Sequence, residues 1–228
     1  MNHQSSTINQ VQQLIAAVNQ ADSADSLLSA VENLVEVRSP EAIPTLVEVL
    51  SYNNPGAAVA AVEGLIALGE PVVPYLINNL DEYNYGARAW ATRVFAGIGE
   101  PSTLDILLKA AVGDFSQSVR RAAARGLGII RWSKLAPEPR MSAQQEVLST
   151  LLLVVQDGEW VVRYAAVVGL QALAEAVRET QPQLIEKITA KFQELITTEP
   201  EPVIRARAQL AQIRISTLAS TTHRFPNE

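Results

Sequence analysis

The chain has 228 residues, 48% of them apolar, with 18 Lys and Arg against 24 Asp and Glu for a net charge of −6. That is enough apolar mass for a continuous core, and the acidity disfavours a general affinity for nucleic acid or anionic lipid. Cysteine is absent and the two histidines, His3 and His223, stand in polar end segments, so disulfides, thiolate or histidine catalysis and a metal site are not expected.

Residues 1–20 are read as an N-terminal tail and helix, with no basic segment followed by an apolar one that would mark a secretory leader. From residue 20 the chain repeats itself. Gly69-Glu70-Pro71 returns 30 residues later as Gly99-Glu100-Pro101, and Ser39-Pro40 holds the same place one period earlier. Each Pro falls in the first turn of a helix, where its missing N–H and fixed φ are tolerated. Ala57 to Leu68 is small or apolar around nearly its whole circumference, the pattern of a helix sandwiched between neighbours. Gly64, Gly97, Gly126 and Gly169 fall inside such helices at a propensity cost that close helix approach offsets.

The reading is an all-α protein, a right-handed α-solenoid of HEAT-like or armadillo-like helix pairs. About six pairs are expected, at 24–51, 55–82, 85–114, 116–157, 159–198 and 201–219. Short repeats fill 20–131, a Pro-containing loop 132–141 (WSKLAPEPRM), longer repeats 142–219 and a tail 220–228. Apolar runs such as Leu151 to Val155 fall far short of the roughly 20 residues a bilayer requires. A cytoplasmic protein with no membrane span is expected.

An acid followed six positions later by Arg recurs as Glu82/Arg88, Asp114/Arg120, Asp157/Arg163 and Glu199/Arg205. The arginines form either a row of anion binders or a structural ladder. In the ladder each acid caps a helix, and each Arg reaches the acid or a neighbouring turn's carbonyls. The ladder is favoured, because function rarely needs one pair four times over.

Arg93, Arg121, Arg125 and Arg131 break the repeat. At 100° per residue Arg121 and Arg125 lie 40° apart, with Trp132 between them if the helix runs that far. Two guanidinium forks beside an indole suit a flat conjugated ligand bearing carboxylates, and a solvated basic helix end is the alternative. In Asp81 to Trp90 (DEYNYGARAW) Tyr83, Tyr85 and Trp90 can stack a ring system, while Asp81 or Glu82 accepts from ring N–H groups. The alternative is that Trp90 is core. Trp160 beside Arg163 repeats this arrangement more weakly. No phosphate-binding loop, nucleophile elbow or metal-ligand spacing is present in the sequence.

The runs Tyr83 to Arg93 (YNYGARAWATR), Asp114 to Gly128 (DFSQSVRRAAARGLG) and Tyr52 to Val62 (YNNPGAAVAAV) resemble the phycobilisome bilin lyases of the E/F class, most of all their F-type subunits. The resemblance extends over most of 20–175 and is weak beyond. It implies a cyanobacterial cytoplasmic protein that works as a heterodimer with an E-type subunit. The pair attaches phycocyanobilin through a thioether to a cysteine of the apo phycocyanin α subunit, with detachment or transfer as companion activities. Phycocyanobilin is then a substrate, no cofactor is bound permanently, and the thiol belongs to the acceptor.

On that footing the bilin-binding candidates are Tyr83, Tyr85, Arg88, Trp90, Arg93, Arg121, Arg125 and Trp132. Arginines would take the propionates and aromatics the rings, while Asp81, Glu82 or Asp114 would hold the pyrrole N–H groups. Lyase-isomerases of the class carry a His-Cys motif that this sequence lacks, so isomerase activity is not expected. A non-catalytic helical-repeat scaffold or adaptor for phycobiliprotein assembly or degradation is the alternative.

Overall fold

The computed structural model describes residues 2–79 and 84–222, with side chains from residue 9 to 217. Among the described residues the regular structure is helical throughout, with two compact units, Met1–Glu100 and Pro101–Glu228. The first contains α1 (Asn2–Asn19), α2 (Ala24–Glu36), α3 (Ile43–Val49), α4 (Pro55–Leu68), α5 (Val72–Asn79) and α6 (Tyr85–Ile98). In the second are α7 (Leu104–Gly113), α8 (Gln117–Leu127), α9 (Pro137–Val154), α10 (Trp160–Val177), α11 (Pro182–Thr198) and α12 (Pro202–Thr222). The expected spans 24–51, 55–82, 85–114, 116–157 and 159–198 contain the pairs α2/α3, α4/α5, α6/α7, α8/α9 and α10/α11. The sixth span, 201–219, holds one helix, α12, because a continuous helical stretch there leaves no turn to divide it.

Each unit is two layers deep. In the first, α2 packs on α4 and α4 on α6, with α3 and α5 behind them; in the second, α8, α10 and α12 pack in succession, with α7, α9 and α11 behind. Leu34, Leu46, Leu65, Leu76 and Phe95 fill the first core, and Leu107, Leu127, Leu151, Leu170 and Phe192 the second. Small residues set the spacing of the front layer. A Cβ on Gly64 would meet Val35 Cγ2 at 2.4 Å, one on Gly97 would meet Ile66 Cδ1 at 2.3 Å, and one on Gly169 would meet the Ala124 carbonyl oxygen at 2.3 Å.

The repeated Gly-Glu-Pro string is a helix stop followed by a start. Gly69 and Gly99 cap α4 and α6 at φ 76° and 66°, donating to the Leu65 and Phe95 carbonyls. Such positive φ values suit glycine. Arg38, one period before Gly69, holds the corresponding place at φ 47°. Side-chain caps start the helices: Ser23 and Ser26 form a capping box at α2, and the Asn54 and Asn84 Oδ1 atoms accept from the Ala57 and Ala87 amides at α4 and α6.

Two further expectations need correction. The segment 132–141 is not one loop: Trp132–Lys134 is a 3-10 turn and Pro137 opens α9, since Pro is accommodated in a helix's first turn. The two compact units divide instead at Glu100/Pro101. α10 has the length and apolarity of a membrane-crossing helix, yet 56% of it is buried. It packs against α8, α9, α11 and α12 as a core helix.

Candidate functional site

The acid–arginine pairs of the second unit form a ladder along the turns that lead into α8, α10 and α12. Asp114 Oδ1 accepts from the Ser116 amide at 2.8 Å, Asp157 Oδ1 from Glu159 at 2.8 Å and Glu199 Oε1 from Glu201 at 3.2 Å. Each arginine's Nη1 ties down two carbonyls of its own turn: Arg120 those of Asp114 and Phe115, Arg163 those of Asp157 and Gly158, Arg205 those of Glu199 and Pro200. The carboxylate it meets belongs to the following repeat. Arg120 Nε is 2.7 Å from Asp157 Oδ2, and Arg163 Nη2 is 2.8 Å from Glu199 Oε1.

These pairs are nearly buried, with side-chain exposures of 15% and 13% for Arg120 and Asp157 and of 14% and 5% for Arg163 and Glu199. Burial alone would raise the Asp157 pKa; the Arg120 hydrogen bond, the Glu159 amide and the charges of Arg120 and Arg163 outweigh it and hold the carboxyl below its ordinary value. The Asp157 hydrogen bond likewise raises Arg120. With its guanidinium groups so committed, the ladder fixes repeat spacing. In the first unit the Asn54 Nδ2 donates to the Ala24 carbonyl 30 residues back.

The remaining candidates divide between the units. Asp81, Glu82 and Tyr83 lie outside the described residues. In the first unit Tyr85 is 62% exposed at the start of α6, Arg88 and Trp90 are half-buried, and the exposed Arg93 lies over the Trp90 ring, 4.7 Å from its centroid. That contact is a cation–π pair. In the second unit Arg121 and Arg125 are exposed one turn apart on α8.

Trp132 does not join them. α8 ends at Leu127, and Trp132 is 7% exposed in the 3-10 turn beyond. A Cβ on Gly128 would come within 2.4 Å of the Gly169 carbonyl oxygen, so only glycine fits where the end of α8 backs onto α10. Trp160, by contrast, is 46% exposed.

Burial exposes a cluster that spacing alone did not reveal. Tyr164 and Glu175 of α10 act on Arg207 of α12, whose Nη1 is buried without a hydrogen-bond partner, and Gln171, which donates to Glu175, has its Oε1 buried without a partner. Burial lowers the Arg207 pKa; Tyr164 opposes this, Arg214 adds to it, and Glu175 opposes it. The available sequence signal was that Arg207 and Arg214 stand one heptad apart on α12. A groove of about 370 Å³ in the first unit, lined by Thr45, Glu48, Tyr75 and Asn79 among others, has no cation among its described lining residues. No cluster of metal-ligating side chains is found among the described residues.

Known proteins agree with this architecture. The HEAT-repeat family model matches residues 11–92 and 73–171. A designed armadillo repeat protein, 19% identical at a TM-score of 0.50 over 90% of this chain and 99% of its own, shares the fold. The phycocyanin alpha phycocyanobilin lyase CpcF of Synechocystis is 48% identical over 198 residues, 87% of this chain and 91% of that protein.

The chain belongs to the CpcF-type lyase subunits, built of HEAT repeats.

Within this family a phycobilisome maturation protein of Synechococcus elongatus is 51% identical over 90% of this chain and 97% of its own length. A chain of the solved complex of CpcE and CpcF of phycocyanin lyase from Nostoc aligns at a TM-score of 0.69 and 46% identity, over 76% of this chain and 99% of its own. For a CpcF-type subunit the polar features separate cleanly. The buried ladder belongs to the repeat, whereas the α6 aromatics, the α8 arginine pair and the α10–α12 cluster depart from it.

Proposed function

We propose that this chain is one subunit of a heterodimeric bilin lyase. With an E-type partner it attaches phycocyanobilin through a thioether to a cysteine of the apo phycocyanin α subunit, and the same pair detaches it in reverse. The observation that carries this reading is the similarity to CpcF, together with the match to nearly the whole of a chain from the CpcE–CpcF complex. Composition agrees: a chain with no Cys leaves the nucleophile to the acceptor.

In the reaction the acceptor thiolate adds to the bilin's ethylidene carbon, forming the C–S bond, and a proton is taken up by the tetrapyrrole. What the lyase contributes is binding and orientation, by holding that carbon near the thiolate and away from water. Arg121 and Arg125, exposed and one turn apart on α8, suit a propionate. Tyr85 and the Arg93-covered Trp90 give α6 an aromatic face for ring contact. Asp114 Oδ1 is engaged by the Ser116 amide, so its weight falls on the ladder. The bilin is a substrate of the pair.

The test is reconstitution from this chain, its E-type partner, phycocyanobilin and apo phycocyanin α subunit, scored by bilin fluorescence of the denatured acceptor. Covalent bilin only when both chains are present is the expected result, and Arg121→Ala with Arg125→Ala lowers it. An assembly adaptor is the second reading, favoured by the similarity to the maturation protein. Attachment no better than the spontaneous background, with phycobiliprotein binding intact, would establish the adaptor instead.

A further inference from the structure

The front layer of the second unit holds a half-buried arginine that the ladder does not use. Arg207 Nη1 on α12 is buried and donates to nothing. A guanidinium keeps its charge under ordinary conditions, so a desolvated and unmet N–H there costs free energy that an anion would recover. Across from it, Gln171 on α10 is 6% exposed. Its Nε2 donates to Glu175 Oε1 at 2.6 Å, which leaves Oε1 as a buried acceptor with no donor.

At 100° per residue, Tyr164, Gln171 and Glu175 fall within about 40° of one another on α10. Tyr164 and Glu175 both act on the Arg207 charge and Glu175 accepts from Gln171, so the unmet donor and the unmet acceptor belong to one cluster between two helices that pack directly. On one side of Arg207, about 60° and 120° round α12, stand Leu210 and Ile213, 42% and 56% exposed. The ligand that answers this set carries a carboxylate, an N–H close to it and an apolar surface. Inorganic phosphate has neither of the last two.

We propose that Arg207 and Gln171 form a subsite for an open-chain tetrapyrrole, with Arg207 pairing with a propionate, Gln171 Oε1 accepting from a ring N–H, and Leu210 and Ile213 lying against the ring system. This rests on the lyase reading above. It places bilin contacts on α10 and α12, beyond the stretches whose motifs resemble the bilin lyases. An unmet N–H held ready in the ligand-free chain is the kind of destabilising arrangement that functional sites retain.

Phycocyanobilin and its dimethyl ester, in which the propionates are masked, separate the contributions. With the chain purified together with its E-type partner and titrated by bilin absorption, the free acid is expected to bind at least about tenfold more tightly than the ester, the factor a charge-assisted hydrogen bond supplies. Arg207→Gln should cut the acid's advantage over the ester by about tenfold, leaving the share that Arg121 and Arg125 supply through the other propionate, and should not change the ester's affinity. Gln171→Leu should weaken acid and ester alike, and Lys187→Gln on the exposed side of α11 should change neither. The ligand-free Arg207→Gln chain should melt no lower than the wild type, since an unmet buried N–H has been removed; a structural arginine would give a lower melting point.

An undiminished acid preference in Arg207→Gln, or a lower melting point for it, overturns the proposal. Equal affinity of the wild type for acid and ester overturns it too, while the lyase reading stands. A wild-type pair that neither binds nor attaches bilin removes both.

Discussion

Gly169 is where the spacing of the second unit is most tightly set, and alanine there should destabilise the protein even though alanine is the better helix former. The added Cβ would stand 2.3 Å from the Ala124 carbonyl oxygen and 3.2 Å from both Leu151 Cδ atoms. The nearest atom is backbone in a helix, so relief requires α8 and α10 to separate by about 1 Å, in a region where Gly128 already packs on Gly169. Overpacking of this kind costs about 3 kcal/mol at the upper end, and the helix propensity of alanine over glycine returns about 1 kcal/mol. The net loss is about 2 kcal/mol. For a chain of this size that is a fall of roughly 4–8 °C in melting temperature.

Gly113, at the end of α7, is the internal control: nothing lies within 4 Å of its added Cβ. Gly113→Ala should therefore raise stability by about 0.5–1 kcal/mol. Both variants are read by thermal denaturation followed at the helical circular-dichroism band, with urea unfolding as a second measure. Opposite signs are expected for one chemical change. If Gly169→Ala melts at or above the wild type, the close helix contact does not set the spacing of this layer.

Arg38→Gly should stabilise the chain by about 0.5–1 kcal/mol, seen as a higher urea midpoint, because Arg38 holds at φ 47° the place that Gly69 and Gly99 fill in later repeats. Arg163→Ala leaves the Glu199 carboxylate, 5% exposed, without its cation and should cost about 3 kcal/mol. Arg205→Ala, which gives up two carbonyl contacts with no carboxylate of a described residue paired to it, should cost about 1 kcal/mol. The Asp157 carboxyl has a lowered folded pKa, so its contribution is present above its unfolded value of about 3.9 and is lost as pH falls through the folded value. The stability difference between wild type and Asp157→Asn should accordingly be flat from about pH 5 to 8 and shrink below about pH 4, as measured by urea unfolding.

Much of this molecule is written locally. The spans of α2 to α11 follow from period-3.6 patterning and from punctuation a few residues long, such as Gly69-Glu70-Pro71 and the Asn54 and Asn84 caps, because each signal acts within one turn of the chain. The six-residue offset of the ladder was legible for the same reason: it is the reach from an arginine back to its own turn's carbonyls. Tertiary packing alone decided that Arg120 meets the carboxylate 37 residues ahead. The tertiary structure also shows α8 ending at Leu127 and Trp132 buried in the turn beyond, away from the face of Arg121 and Arg125. Arg207 and Gln171 read as ordinary polar residues until α10 and α12 pack and strip water from them. Desolvation depends on neighbours far away in sequence, and a pattern of spacings carries no record of it.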